Sequence, residues 1–162
     1  MKSKRLNNLG KINRDKTLNF TWDNKKLSGF EGDSLASALL ANNIGIVGRS
    51  FKYHRPRGIF SSGVEESGAL VTIGSKDRRD PNVRATTQEL FDGLKASGQN
   101  AFPNVNFDLG GINNYIGRSF AAGFYYKTFM GIPPFEWGKG TTIWMLFEKL
   151  IRKAAGMGSA SR

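Results

Sequence analysis

The stretch from Arg49 to Leu70, RSFKYHRPRGIFSSGVEESGAL, constrains the fold of this chain more than any other. Its first half is basic and aromatic: Arg49, Phe51, Lys52, Tyr53, His54, Arg55 and Arg57, with no acid among them. Its second half, Ile59 to Leu70, has the length and glycine placement of a loop that wraps an iron–sulfur cluster. Such a loop supplies thiolates at C-x4-C-x2-C and one more further on, because each iron of a pair takes two sulfur ligands from the protein. Counting from the residue after Phe60 puts the three positions on Ser61, Glu66 and Ala69, and the fourth falls near Thr86 in NVRATTQEL. None of these carries a thiolate. The expectation is a cradle of the cluster's shape that holds no cluster.

The rest of the composition narrows the chemistry further. The chain has no cysteine, which excludes disulfides, thiolate metal sites and cysteine nucleophiles together. His54 is the single histidine, so a histidine metal site or a Ser-His-Asp triad is hard to assemble. Lysine and arginine number 24 against 13 acids, a net charge of +11. That balance fits nucleic acid or another polyanion. It also fits a piece of a larger assembly whose charge is seen out of context, which is the preferred reading. No apolar run reaches the roughly 18 residues of a membrane helix, and the start lacks the apolar core of a secretory signal. A cytoplasmic location without membrane contact is expected.

Taken in order, residues 1–16 form a basic arm with little to pack, read as a solvated tail or a strand along a partner. TLNFTW then alternates, placing Leu18, Phe20 and Trp22 on one face of a strand. Asp23-Asn24 makes a turn, and Lys25 to Phe30 is the returning strand. Asp33 is read as the N-cap of a helix over Ser34 to Asn42, with Leu35, Ala38 and Leu39 on its apolar side. A helix crossing a hairpin in this way begins a β-grasp fold. Further strands are expected at Ile44 to Val47, Ala69 to Ile73, Val83 to Thr87 and Leu90 to Ala96, with Gly74 to Pro81 as a charged turn. The domain, 17–100, should end near Asn100. Residues 101–162 form an aromatic-rich extension with a short helix at Leu109 to Arg118, closed by a helix from Thr142 to Ala155. So many large apolar groups should cover something, since leaving each in water forgoes about 1.5–3 kcal/mol. The fold class is therefore α+β: a ferredoxin-like 2Fe-2S β-grasp lacking its cluster, with this extension and terminal helix.

Candidate sites are few. Arg49, Lys52, Tyr53, His54, Arg55 and Arg57 are the anion- or partner-binding candidates, because arginine suits bidentate recognition of phosphate and carboxylate. The same residues could equally pin the loop to the body through carbonyls and acids, and both readings stay open. Glu66 alone, between serine and alanine positions, is no metal site. Glu65 and Glu66 are adjacent and should point apart, so no acid–base pair is available. The G-x-G fragments at Gly138 and Gly156 each lack the third glycine and the preceding strand of a dinucleotide site. No catalytic residue is assigned.

RSFKYHRPRGIF followed by SSGVEESGALVTI resembles the N-terminal region of the alpha subunit of heterotetrameric sarcosine oxidase. GDSLASALLANNI, PNVRATTQELFDGL, SGQN, AGFYYKTFM and FEKLIRKAAGMG are similar to the same family, in the same order. Related oxidases, such as hydrogen cyanide synthase and opine oxidase, carry a similar loop with cysteines in it. The resemblance implies a flavoenzyme complex that oxidises sarcosine with oxygen to glycine and hydrogen peroxide and passes the one-carbon unit to tetrahydrofolate. It implies NAD, FAD, FMN and tetrahydrofolate for the complex, and none in this chain. It also implies the remainder of an alpha subunit, with beta, gamma and delta subunits, as partners. A nucleotide-binding domain is expected just beyond this point, so the chain is expected to be part of a longer or split subunit and inactive alone. The rivals are a sibling amine or opine oxidase, a small basic nucleic-acid-binding protein, and an electron-transfer ferredoxin, the last weakened by the missing thiolates.

Overall fold

The structure is a computed structural model, and it describes residues 5–6, 9–76, 78–116 and 152. Two strands, β1 (Asn13–Trp22) and β2 (Lys25–Glu31), form an antiparallel hairpin. Its turn residues Asp23 and Asn24 both take positive φ, 44° and 67°, which aspartate and asparagine tolerate better than most. Helix α1 (Leu35–Ala41) follows, then β3 (Ile46–Arg49) and β4 (Pro56–Gly58), which pair as a small separate sheet. Strands β5 (Leu70–Ser75), β6 (Arg78–Arg84) and β7 (Lys95–Gly98) complete a five-stranded sheet in the order β2-β1-β7-β5-β6. The sheet is mixed: β1 and β7 run parallel, while the other neighbours are antiparallel.

Leu18, Phe20 and Trp22 are buried on one face of β1, as their alternation requires. They meet Leu35, Ala38 and Leu39 of α1, with Val47, Val71, Leu90 and Leu94 closing the core. Leu40, on the far side of the helix, is 44% exposed.

Several boundaries differ from the expectation, each for a local reason. The N-cap of α1 is Ser34, whose hydroxyl accepts the Ser37 N–H; Asp33 is not the cap. The Asp33 carboxylate is buried and accepts from Arg5, from the Ser37 hydroxyl and from the Phe30 N–H. Burial alone would raise its pKa, but these bonds outweigh it and hold the group below its ordinary value. Arg5 therefore docks on the body rather than lying in a free tail, and β1 starts at Asn13, four residues before the alternation becomes clean. The charged segment at Gly74 to Pro81 is mostly strand: only a tight reversal separates β5 from β6, and Pro81 sits on the edge strand where no ladder N–H is needed. Ala85 to Thr87 turn away from the sheet, and β7 begins at Lys95, after the Asp92-Gly93 turn.

Residues 109–116 are helical, as a 3-10 turn (Leu109–Ile112) continued by α2 (Asn113–Ile116). The expected helix at 142–155 and both glycine fragments lie outside the described residues, apart from Arg152, which is helical. Among the described residues, no helix is long and apolar enough to cross a membrane.

Candidate functional site

The basic loop is the connection of the β3–β4 hairpin. Ser50 closes it: its N–H donates to the Arg55 carbonyl, its carbonyl accepts from the His54 N–H, and its hydroxyl accepts the Arg55 N–H. Arg49 turns inward. Its Nε and Nη2 donate to the Val105 carbonyl at 2.9 and 2.7 Å, and its Nη1 donates to the His54 carbonyl at 3.1 Å. Its guanidinium thus ties the hairpin to the segment after β7. Two cations lie over the Tyr53 ring, Lys52 Nζ 4.8 Å and Arg55 Cζ 4.7 Å from its centroid. Arg55 and Arg57 are exposed. His54 has φ 53°, in the left-handed region that histidine enters more readily than most residues.

His54 also has a partner that sequence reading missed. Its Nδ1 is 2.7 Å from Asp108 Oδ2, and the Asp108 side chain is only 1% exposed. The other Asp108 oxygen accepts the N–H groups of Phe102 and Gly110, both at 3.0 Å. Burial would raise the Asp108 pKa, but the bonds from Phe102, His54 and Gly110 hold it below the usual value. The one signal in the sequence was an aspartate placed to cap the turn Leu109-Gly110-Gly111. Near this pair, Val105 is buried, while Phe102, Phe107, Leu109, Ile112 and Tyr115 remain well exposed.

The second half of the central stretch brings its four marked positions together. Glu66 is 2% exposed, and its carboxylate lies inside the loop. Oε2 accepts the backbone N–H groups of Phe60 and Ser61, each at 2.7 Å. Oε1 accepts those of Gly68 at 2.5 Å and Ala69 at 3.2 Å. Ala69 is fully buried, and the Ala85 N–H donates to its carbonyl, which sets Thr86 beside the loop. The Thr86 hydroxyl donates to the Gly63 carbonyl at 2.8 Å. Burial works against the Glu66 charge, but the four amide bonds prevail and hold its pKa at about 2.

An iron–sulfur cluster does not fit this donor set. No thiolate is present, the Ala69 side chain has no donor atom, and both Glu66 oxygens are already taken by backbone amides. Among the described residues, no three His, Cys, Asp or Glu side chains come together as a metal site. His54 faces a carboxylate, and among the described residues no nucleophile is hydrogen-bonded to the pair. The arrangement anchors loops: the carboxylate of Glu66 binds backbone amides within the central stretch, and that of Asp108 binds the amides of Phe102 and Gly110.

A family described as the 2Fe-2S iron-sulfur cluster binding domain matches residues 15–101. Over 161 residues the chain is 52% identical to sarcosine oxidase subunit alpha of Rhizobium meliloti (strain 1021), covering 99% of this chain and 16% of that protein. It is 49% identical over 90 residues to sarcosine oxidase subunit alpha of Corynebacterium sp. (strain U-96), covering 54% of this chain and 9% of that protein. Among solved structures, L-proline dehydrogenase from P. horikoshii aligns with a TM-score of 0.43 and 27% identity, covering 54% of this chain and 16% of that one. The chain thus spans 16% or less of the length of each of these proteins.

Proposed function

The chain belongs to the 2Fe-2S iron-sulfur cluster binding domain family, and from that membership we propose that it serves as the N-terminal structural and assembly portion of a sarcosine oxidase alpha subunit. One observation carries the reading: identity of 52% with such a subunit runs through 99% of the chain, including the loop whose cluster ligands are missing. In this proposal the sheet is a β-grasp, supported by the parallel pairing of β1 with β7 and by α1 packed on the hairpin. The cluster-less domain begins with β1 at Asn13, four residues before the expected boundary at Thr17, and runs to about Asn100, and 101–162 form an extension leading to a nucleotide-binding domain. The cofactors NAD, FAD, FMN and tetrahydrofolate are held elsewhere in the complex, which converts sarcosine and oxygen to glycine and hydrogen peroxide with transfer of the one-carbon unit. Beta, gamma and delta subunits and the remainder of the alpha subunit are its partners.

The exposed apolar side chains from Phe102 to Tyr115 support an assembly role, since such a run in water favours a covering partner. Arg55 and Arg57, exposed on the β4 side of the hairpin, are assigned to docking or anion contact rather than chemistry. The test is sarcosine-dependent peroxide production. The chain alone, with or without added FAD, FMN and NAD, should give none, while the assembled oxidase containing it should turn over. In that complex, changing Arg55 and Arg57 together to alanine should lower complex yield and leave peroxide per flavin nearly unchanged. Normal assembly with lost turnover would place the arginines in the active site and overturn the assignment.

A further inference from the structure

We propose that the Glu66 carboxylate is the anion that organises the Ser61 to Ala69 loop in place of an iron–sulfur cluster, so that the loop folds without metal. Four backbone N–H groups, those of Phe60, Ser61, Gly68 and Ala69, converge on one carboxylate, two on each oxygen. Successive amides aimed into a concavity form an anion nest, the arrangement found at many phosphate and iron–sulfur sites. A nest left empty would leave buried donors unpaired, which native structures rarely tolerate. Here the anion comes from the chain itself, from one of the positions where the C-x4-C-x2-C spacing would put a thiolate.

Three further observations agree. Among the described residues no lysine or arginine forms an ion pair with the carboxylate; Arg84 donates to the Glu66 backbone carbonyl instead. The compensation for the buried charge therefore comes from the four amide dipoles, with a longer bond from the Ser61 hydroxyl to Oε2 at 3.4 Å. The flanking positions, Ser61 and Ala69, are small, which leaves room for the longer glutamate to enter the loop. The cradle is also closed around it: a Cβ at Gly68 would lie 2.8 Å from the Gly58 carbonyl oxygen and 2.9 Å from Phe60 Cδ2. The inference stands on this geometry and does not depend on the sarcosine oxidase reading.

The experiment uses the chain as it is and two variants. In the parent protein, the amide protons of Phe60, Ser61 and Gly68 should resonate downfield and exchange slowly, in metal-free buffer with a chelator present. Rapid exchange of all of them would overturn the proposal. Glu66→Gln keeps the volume and removes the charge, and Glu66→Ala removes both. Both should unfold at lower denaturant than the parent. Sodium formate should raise the Glu66→Ala midpoint saturably, well beyond the effect of the same salt on the parent. Parent-like stability of Glu66→Gln, or an alanine variant indifferent to formate, would show that Glu66 acts by packing alone and would end the proposal. If the alanine variant does not fold, the parent amides and the glutamine variant decide.

Discussion

His54 Nδ1 lies 2.7 Å from Asp108 Oδ2, across 54 residues of sequence, and this contact latches the basic hairpin to the segment beyond the last strand. The two sides of the latch are not equivalent. Removing His54 frees one bond to a carboxylate that retains two others. Removing Asp108 orphans the N–H groups of Phe102 and Gly110 together with the imidazole. Asp108→Ala should therefore cost more than His54→Ala, roughly 1.5–3 against about 1 kcal/mol, since it removes three bonds to a charged acceptor and His54→Ala removes one. Denaturant unfolding of the two variants checks the order; equal losses would mean that the pair, and not the amide cage around Asp108, carries the energy.

Arg5 forks onto Asp33, with Nη1 to Oδ1 at 2.8 Å and Nη2 to Oδ2 at 2.7 Å, 28 residues apart. Arg5→Ala leaves a buried carboxylate with only its Ser37 and Phe30 bonds, and should destabilise the fold by roughly 1.5–3 kcal/mol. Arg5→Lys should recover only part of this, because an ammonium cannot make the fork. A thermal melt in which both variants match the parent would return Arg5 to the status of a loose tail residue.

Acid stability follows from the carboxylates. Glu66 has its folded pKa depressed from 4.5 to about 2, so its contribution is fully present above 4.5 and is lost as pH falls from there toward 2. Asp33 and Asp108 are depressed from 3.8 and act in the same direction. Unfolding free energy should thus decline between about pH 5 and 2, and Glu66→Gln should show a shallower decline than the parent over that window. Parallel curves would contradict the assigned depression at Glu66.

Anaerobic reconstitution with iron and sulfide should leave the chain colourless, since Ser61, Glu66, Ala69 and Thr86 offer no thiolate. Changing all four to cysteine should permit a cluster with a visible charge-transfer band and about two irons per chain. Iron uptake by the parent would refute the first expectation. Absence of iron in the four-cysteine chain would show that these positions do not sit as the spacing implies.

Gly98 tests the packing behind the latch. A Cβ there would stand 2.1 Å from Val105 Cγ1 and 3.2 Å from the Val47 carbonyl oxygen. Gly98→Ala should cost about 1–3 kcal/mol by overpacking, and pairing it with Val105→Ala should recover part of the loss. Additive losses in a double-mutant cycle would deny the contact.

What the sequence determined by itself was carried by local periodicity and spacing. Alternation located the buried face of β1, the Asp23-Asn24 pair located the turn, and the 3.6-residue pattern located α1, because backbone geometry alone sets these repeats. The spacing from Ser61 to Ala69 marked the loop, and the missing thiolates set the limit on its chemistry. The tertiary structure decided what occupies the loop. Whether Glu66 points to water or into its own cage depends on four amides whose directions are set by the chain path on either side, and no pattern of residue types encodes that. The same holds for Arg5 with Asp33 and His54 with Asp108: side chains 28 and 54 residues apart meet only because the folded sheet places them together. It also separated the basic residues, which are alike in sequence. Arg49 meets the carbonyls of Val105 and His54, Lys52 and Arg55 lie over the Tyr53 ring, and Arg57 is left exposed on the short strand of the hairpin. Charge is a property of the residue, but its use depends on which unpaired acceptor the fold brings within reach.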